Sequence, residues 1–192
     1  ILYGQSESIL GSYGVSDWDV ITKIPAIPEN IQDIQGWVID KVECSLKRLK
    51  LTRIYGVMLH EPDQIFEYQS KSIFDALNSL KNNNICEKIG LSIYDIAKVE
   101  EYVSVYDIDL IQAPLNIFDR RLIDPAVLYM LKKRNIEIHA RSIFLQGLLL
   151  LNRGPVIDGF SHSKKLFDEW YSWLNQENID PVEACLKFVL QI

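Results

Sequence analysis

The sequence predicts an α/β chain arranged as a (β/α)8 TIM-type barrel, incomplete within these 192 residues. Three observations carry that expectation. Five short runs rich in Ile and Val, residues 20–23, 54–60, 88–92, 110–113 and 136–140, alternate with longer amphipathic segments. Strands separated by helices in series pair in parallel, because parallel neighbours need crossover connections. Second, the runs are almost continuously apolar, as strands covered on both faces are. Third, polar residues recur at their C-terminal ends: Lys23, His60, Ser92, Gln112, Asn116 and then Arg141-Ser142. A barrel collects its active site at that end. The other architecture with this alternation is the doubly wound sheet. Its dinucleotide fingerprint, Gly-x-Gly-x-x-Gly after a strand, is absent from the sequence.

The helices follow from spacing and punctuation. Val38, Val42, Leu46 and Leu49 repeat at three- and four-residue steps and predict a helix ending near Lys50. Ile73, Leu77 and Leu80 do the same ahead of the polar stop Asn82-Asn83-Asn84, and Ile96, Val99 and Val103 mark a third helix. Asp124-Pro125 is an N-cap followed by proline at the first helical position, opening a helix to about Arg134. Asp180-Pro181 repeats the signal before a final helix, residues 182–190. Leu166, Phe167, Trp170 and Leu174 place another helix over residues 164–175.

Composition narrows the class. One domain of this length can bury a sizeable core. Hydrophobic residues make up 48% and charged residues 24%, with a net charge of −6. That balance argues against nucleic-acid binding, which needs concentrated Lys and Arg. No signal peptide or membrane-spanning run is visible. Cys44, Cys86 and Cys185 lack metal-ligand or redox spacing. Cys44 and Cys185 fall in helical patterns and are expected as small buried hydrophobes, suiting a cytoplasmic protein. The chain opens on Ile1 rather than Met and reads as part of a longer protein.

The ordered motifs resemble the aldo-keto reductase family. Tyr3-Gly4-Gln5-Ser6-Glu7 with Leu10-Gly11 is similar to the family's segment after its second strand. Thr22-Lys23, Leu59-His60-Glu61-Pro62-Asp63, Gly90-Leu91-Ser92, Gln112-Ala113-Pro114-Leu115-Asn116 and the stretch from Ala140 to Gly147 follow in the family's order. The resemblance covers essentially the whole chain as one partial barrel domain, about strands three to seven of the family's eight. It implies hydride transfer from NADPH, with NADH as the alternative, to an aldehyde or ketone, a sugar-derived one among the candidates, without a metal. By it Tyr3 is the general acid, Lys23 lowers the Tyr3 pKa, and His60 orients the carbonyl and shares the proton. A free tyrosine, with a pKa near 10, needs such help at neutral pH. Ser92 and Gln112 hydrogen-bond the nicotinamide carboxamide, while Arg141, Ser142, Phe144, Gln146 and Gly147 belong to the cofactor-binding loop.

The pattern is also departed from. Arg141 stands where many members carry an aromatic ring against the nicotinamide, and Ile93 stands where many carry Asn. The family's catalytic Asp and first two strands would precede Ile1, and its eighth strand with the adenosine-phosphate site would follow Ile192. The substitutions keep a second reading open: a nicotinamide-nucleotide-binding regulatory or scaffold protein with little or no turnover. Several residues read as structural. His139 lies inside a strand, His162 reads as a loop residue or helix cap, and Arg120-Arg121 as a solvated pair or partners of Asp119 or Asp124, ahead of the alternative that they hold a phosphate. Trp170 and Trp173 read as packing, and Lys132-Lys133-Arg134 complements a helix C-terminus. Substrate identity and oligomeric state are not set by any motif; the partner expected is a small-molecule carbonyl compound.

Overall fold

The computed structural model describes residues 4–151 and 163–192. Five strands form one sheet in the order β1-β2-β3-β4-β5: β1 Ile21–Ile24, β2 Ile54–Leu59, β3 Cys86–Ser92, β4 Leu110–Pro114 and β5 Glu137–Arg141. The first three pairings are parallel and sequential, with Lys23 beside Met58, Met58 beside Gly90, and Ser92 beside Gln112. The helices are α1 Ser6–Tyr13, α2 Ile34–Leu49, α3 Ser70–Asn82, α4 Val99–Val105, α5 Pro125–Lys133, α6 Lys164–Glu177 and α7 Pro181–Leu190. This sheet of parallel strands alternating with helices, which does not close on itself, is an incomplete (β/α)8 arrangement, as expected from the alternation of patterns.

The chain divides into two compact units: Ile1–Ala113 with Tyr129–His139, and Pro114–Leu128 with Ala140–Ile192. In the first unit α2 packs on β1 and on α3, and α3 packs on β3. Val38, Val42 and Leu49 of α2, Ile73, Phe74 and Leu77 of α3, and Val57, Ile89 and Leu91 of the sheet are all buried. Each such side chain contributes about 1.5–3 kcal/mol of burial. Lys50 closes α2 in the left-handed conformation, so the helix stops on a residue that takes a positive φ. In the second unit Leu149, Phe167, Trp170, Tyr171, Leu174, Ala184 and Cys185 form a separate apolar cluster. Trp170 Nε1 donates to Leu149 O at 3.1 Å, so the buried indole keeps its hydrogen bond. Asp180 caps α7 by accepting from Val182 N at 2.8 Å, with Pro181 at the first turn.

Three local expectations change. Helix α1 has no counterpart in the sequence patterns, because its buried residues are Glu7 and Gly11 while Ile9 and Leu10 face water. A helix that buries a carboxylate and a glycine shows no apolar stripe. The third predicted helix begins as a 3-10 turn, Ile96–Lys98, whose Ala97 N donates to Asp95 at 3.1 Å, before becoming α4. Cys44 is half-buried rather than buried, since the inward stripe of α2 runs through Val42, Ser45 and Leu46 and leaves it at the margin. Cys86 and Cys185 are buried, and burial pushes the Cys86 thiol up to about 11.

Candidate active site

Side chains on a strand alternate between faces, so register decides which polar groups can meet. Lys23 is level with Met58, and Met58 with Gly90. Two residues beyond Met58 is His60, two beyond Gly90 is Ser92, and Ser92 is level with Gln112. Lys23, His60, Ser92 and Gln112 therefore share one face of the sheet at the C-terminal ends of four adjacent strands. The ladder continues past β2, with His60 N donating to Ile24 O at 2.9 Å, and past β3, with Ile93 N donating to Gln112 O at 2.8 Å. Gly90 makes the layer below Ser92 possible. A Cβ there would lie 2.4 Å from Leu110 Cδ1 and 2.5 Å from Leu110 O.

The four residues differ in how their polar atoms are used. Lys23 is half-buried within β1. The His60 ring has Nδ1 3.3 Å from Glu61 Oε1 and Nε2 3.4 Å from Tyr94 Oη. The Ser92 side chain is fully buried, and its hydroxyl has no hydrogen-bond partner among the described residues. Gln112 is half-buried. Ile93, next to Ser92, is fully buried, so its side chain belongs to the core. Tyr3 lies outside the described residues, as does His162.

In the second unit Arg141 ends β5 and its Nη1 lies 3.4 Å from Ser142 Oγ. Ser142, Leu145, Gln146 and Gly147 all have positive φ, and Gln146 and Gly147 break the 3-10 segment Leu145–Leu150. Three of these four residues carry side chains, and such a run costs energy that the surroundings must offset. Two amides of the loop are used internally, Leu145 N on Ser142 O at 2.8 Å and Gly147 N on Phe144 O at 2.9 Å. Phe144 packs against the apolar cluster of this unit. Asn116 is buried and holds two loops: Oδ1 accepts from Phe118 N and Asp119 N, each at 2.9 Å, and Nδ2 donates to Ser142 O at 3.2 Å. Asp119 takes a bidentate pair from Arg121, whose guanidinium holds its carboxyl below the usual range against the opposing effect of partial burial. A groove of about 840 Å³ lies between α6 and α7, lined by Phe118, Arg120, Trp170, Trp173 and Phe188 among others. None of the residues singled out from the sequence as a site lines it.

Several motif residues have structural explanations that no spacing reveals. Glu7 is buried and accepts from Thr22 Oγ1 at 2.7 Å and from Arg48 Nε at 2.8 Å. Burial raises its pKa, and the Thr22 and Arg48 hydrogen bonds outweigh that, leaving the carboxyl below its ordinary value. Gly11 lets α1 sit on the end of α2, since a Cβ there would lie 2.2 Å from Arg48 O. Asp63 accepts from Tyr102 Oη at 2.7 Å and from Lys98 Nζ at 3.1 Å, which joins the turn after β2 to α4. At the other end of the strands Glu137 accepts from Tyr55 Oη at 2.7 Å, pairs with Lys88 and lies 3.1 Å from His139 Nε2. Burial works against that charge, yet the Lys88, Tyr55 and His139 hydrogen bonds carry the Glu137 carboxyl down to about 2. Lys88 is raised in turn, first by its hydrogen bond to Glu137. The sequence shows only scattered strand residues here, because the four are brought together by pairing between distant segments. Among the described residues no group of three His, Cys, Asp or Glu side chains is arranged to hold a metal, and no helix is long and apolar enough to cross a membrane.

No curated protein matches the chain. Among solved structures, the glycerol dehydrogenase of Gluconobacter oxydans superposes with a TM-score of 0.72 at 21% identity, covering 97% of this chain and 64% of that one. An aldo-keto reductase of Bacillus halodurans in its holo form gives a TM-score of 0.61 at 21% identity, over 78% of this chain and 50% of its own. A putative aldo-keto reductase of Pseudomonas aeruginosa gives 0.60 at 22% identity, over 74% and 58%. At these identities the likeness speaks for the fold, and this chain spans between about half and two thirds of the length of each. The family model described as "Aldo/keto reductase family" matches residues 2–192. The chain belongs to the aldo/keto reductase family.

Proposed function

We propose that this chain carries the catalytic face of a nicotinamide-dependent oxidoreductase that reduces an aldehyde or ketone, with NADPH as the expected cofactor. The observation that carries the reading is the buried Ser92 hydroxyl, which has no partner among the described residues. A buried hydroxyl without a hydrogen bond is costly and rare, and the group proposed to meet Ser92 is a polar group of the cofactor. The nicotinamide carboxamide offers both a donor and an acceptor, and Gln112 lies level with Ser92 to share it. In the second unit Arg141 and the left-handed loop through Gly147 are the groups proposed to meet the nucleotide's anionic part. Family membership supports the class of reaction, and the three free cysteines accord with a cytoplasmic location.

When bound, the reduced nicotinamide supplies a hydride to the carbonyl carbon. Tyr3 would give its phenolic proton to the carbonyl oxygen as negative charge develops there: the donor C–H bond, the phenol O–H bond and the carbonyl π bond break, the C–H and O–H bonds of the alcohol form, and Tyr3 is left as phenolate. The Lys23 ammonium favours the phenolate left behind, which makes the phenol a better acid. His60 orients the carbonyl oxygen and shares the proton before solvent restores it to Tyr3.

The test is loss of NADPH absorbance with short aldehydes and aldoses, repeated with NADH. Tyr3→Phe should lower turnover by about 10²–10⁴-fold with cofactor affinity nearly unchanged. Nucleotide binding without turnover on any carbonyl compound would favour the regulatory alternative, and the absence of both binding and turnover would overturn the proposal.

A further inference from the structure

Asn116 lies just past β4, buried in the second unit together with the loop that starts at Ser142. The backbone ladder here ends one residue earlier, where Leu115 N donates to Arg141 O at 3.0 Å. Beyond that point a side chain takes over the link. Asn116 Oδ1 accepts from Phe118 N and Asp119 N, each at 2.9 Å, and Nδ2 donates to Ser142 O at 3.2 Å. Backbone N–H groups only donate, so the amide oxygen must face Phe118 and Asp119 and the amide nitrogen must face Ser142. Ser142 O also accepts from Leu145 N at 2.8 Å, so both of its lone pairs are engaged.

We propose that Asn116 is a positioning residue for the nucleotide: its Nδ2–H fixes the Ser142 carbonyl and so holds the loop through Gly147 in its left-handed form. The Asn116 side of the bridge is firmly mounted. Phe118 meets Phe167 edge to face, with centroids 5.2 Å apart and planes at 76°, and Asp119 takes the bidentate pair from Arg121. The Ser142 side needs the support. Ser142, Leu145 and Gln146 all carry side chains at positive φ, which persists only where the surroundings hold it. Phe144 and Leu145 pack against the apolar cluster, and Asn116 fixes the carbonyl from which the run departs. A loop that adopts its binding form only part of the time weakens apparent affinity in proportion, and leaves the chemical step alone. The position specifically suits an amide. A carboxylate would still accept from Phe118 N and Asp119 N but would set an acceptor against Ser142 O. A serine hydroxyl offers those amides an acceptor and has no second polar atom for Ser142.

The consequence for nucleotide binding rests on the reductase reading; the link between the two loops does not. Asn116→Asp and Asn116→Ser break that link by different chemistry, and residue-resolved amide hydrogen exchange reads it without any cofactor. The Leu145 amide should exchange about tenfold faster in both variants, while the Phe118 and Asp119 amides keep their wild-type protection. A Leu145 amide unchanged in both variants would overturn the proposal. Equal loosening at Phe118 and Asp119 would overturn it too, since Asn116 would then be a general prop of the fold. With NADPH, both variants should bind about tenfold more weakly, and kcat at saturating nucleotide should stay within about twofold of the wild type. Faster Leu145 exchange with unchanged NADPH affinity, or a lost kcat with affinity intact, would overturn the positioning role. A wild type that binds no nicotinamide nucleotide would defeat the reductase reading, and the exchange rates would still decide whether Asn116 holds the Ser142 loop.

Discussion

The two ends of the sheet in the first unit carry polar clusters of opposite character. At the strand starts, Glu137 is ringed by Tyr55, Lys88 and His139, and its carboxylate oxygens are taken up by neighbours. At the strand ends, Ser92 keeps a buried hydroxyl without a partner among the described residues, and the His60 ring nitrogens lie 3.3 Å from Glu61 Oε1 and 3.4 Å from Tyr94 Oη. Both clusters place charged and polar groups on the same sheet. The difference is closure. A cluster whose members satisfy one another ties strands together and has little left for a ligand. One with unfilled valences is less well bonded and is available for chemistry.

Breaking the open end should produce the largest effect. Lys23→Met removes the ammonium proposed to acidify Tyr3, and turnover should fall about 10²–10³-fold while the melting temperature hardly moves. An unaffected turnover would end the case for Lys23. Ser92→Ala sharpens the contrast because its two readouts diverge. Cofactor affinity should fall about tenfold, and stability should stay level or rise, since an unpaired buried hydroxyl has been removed. A loss of stability with unchanged nucleotide binding would show the hydroxyl to be structural.

The closed end should respond the other way. Glu137→Gln should cost about 1–2 kcal/mol in denaturant unfolding, discounted for partial exposure, and leave turnover intact. Its pH signature has a definite sign. Glu137 is depressed from 4.5 to about 2 in the folded chain, so its contribution is fully present above 4.5 and is lost as pH falls towards 2. In that window the unfolded chain binds the proton and the folded chain does not, so stability rises with pH. Glu137→Gln should flatten that slope, the smallest of these effects. An identical slope in the variant would show that other carboxylates, Glu7 among them, carry the acid response.

Much of this was legible in the sequence. Strands β1 to β5 came within two residues of the runs that predict them, because buried parallel strands leave uninterrupted apolar stretches. Asp124-Pro125 and Asp180-Pro181 located α5 and α7 because capping is local chemistry. Lys23, His60, Ser92 and Gln112 were found by position at strand ends, yet their common face needed the register. Helix α1 was invisible because an ion pair and a close backbone approach hold it. Tyr94 was overlooked for a related reason. It follows Ile93 in an ordinary loop sequence, and only folding brings its hydroxyl to a histidine 34 residues earlier. The Glu137 cluster joins β2, β3 and β5, and no spacing along the chain encodes such a meeting.

The shared face of Lys23, His60, Ser92 and Gln112 also governs how this chain can change in length. The face rests on parity, so the connections between strands can gain or lose residues with little effect on which groups meet. A single insertion inside β1 or β3 would turn every side chain beyond it to the opposite layer. Lys23 or Ser92 would then point into the helices. Length variation among natural or engineered versions of this chain should therefore collect in the loops, with the strands fixed in residue count.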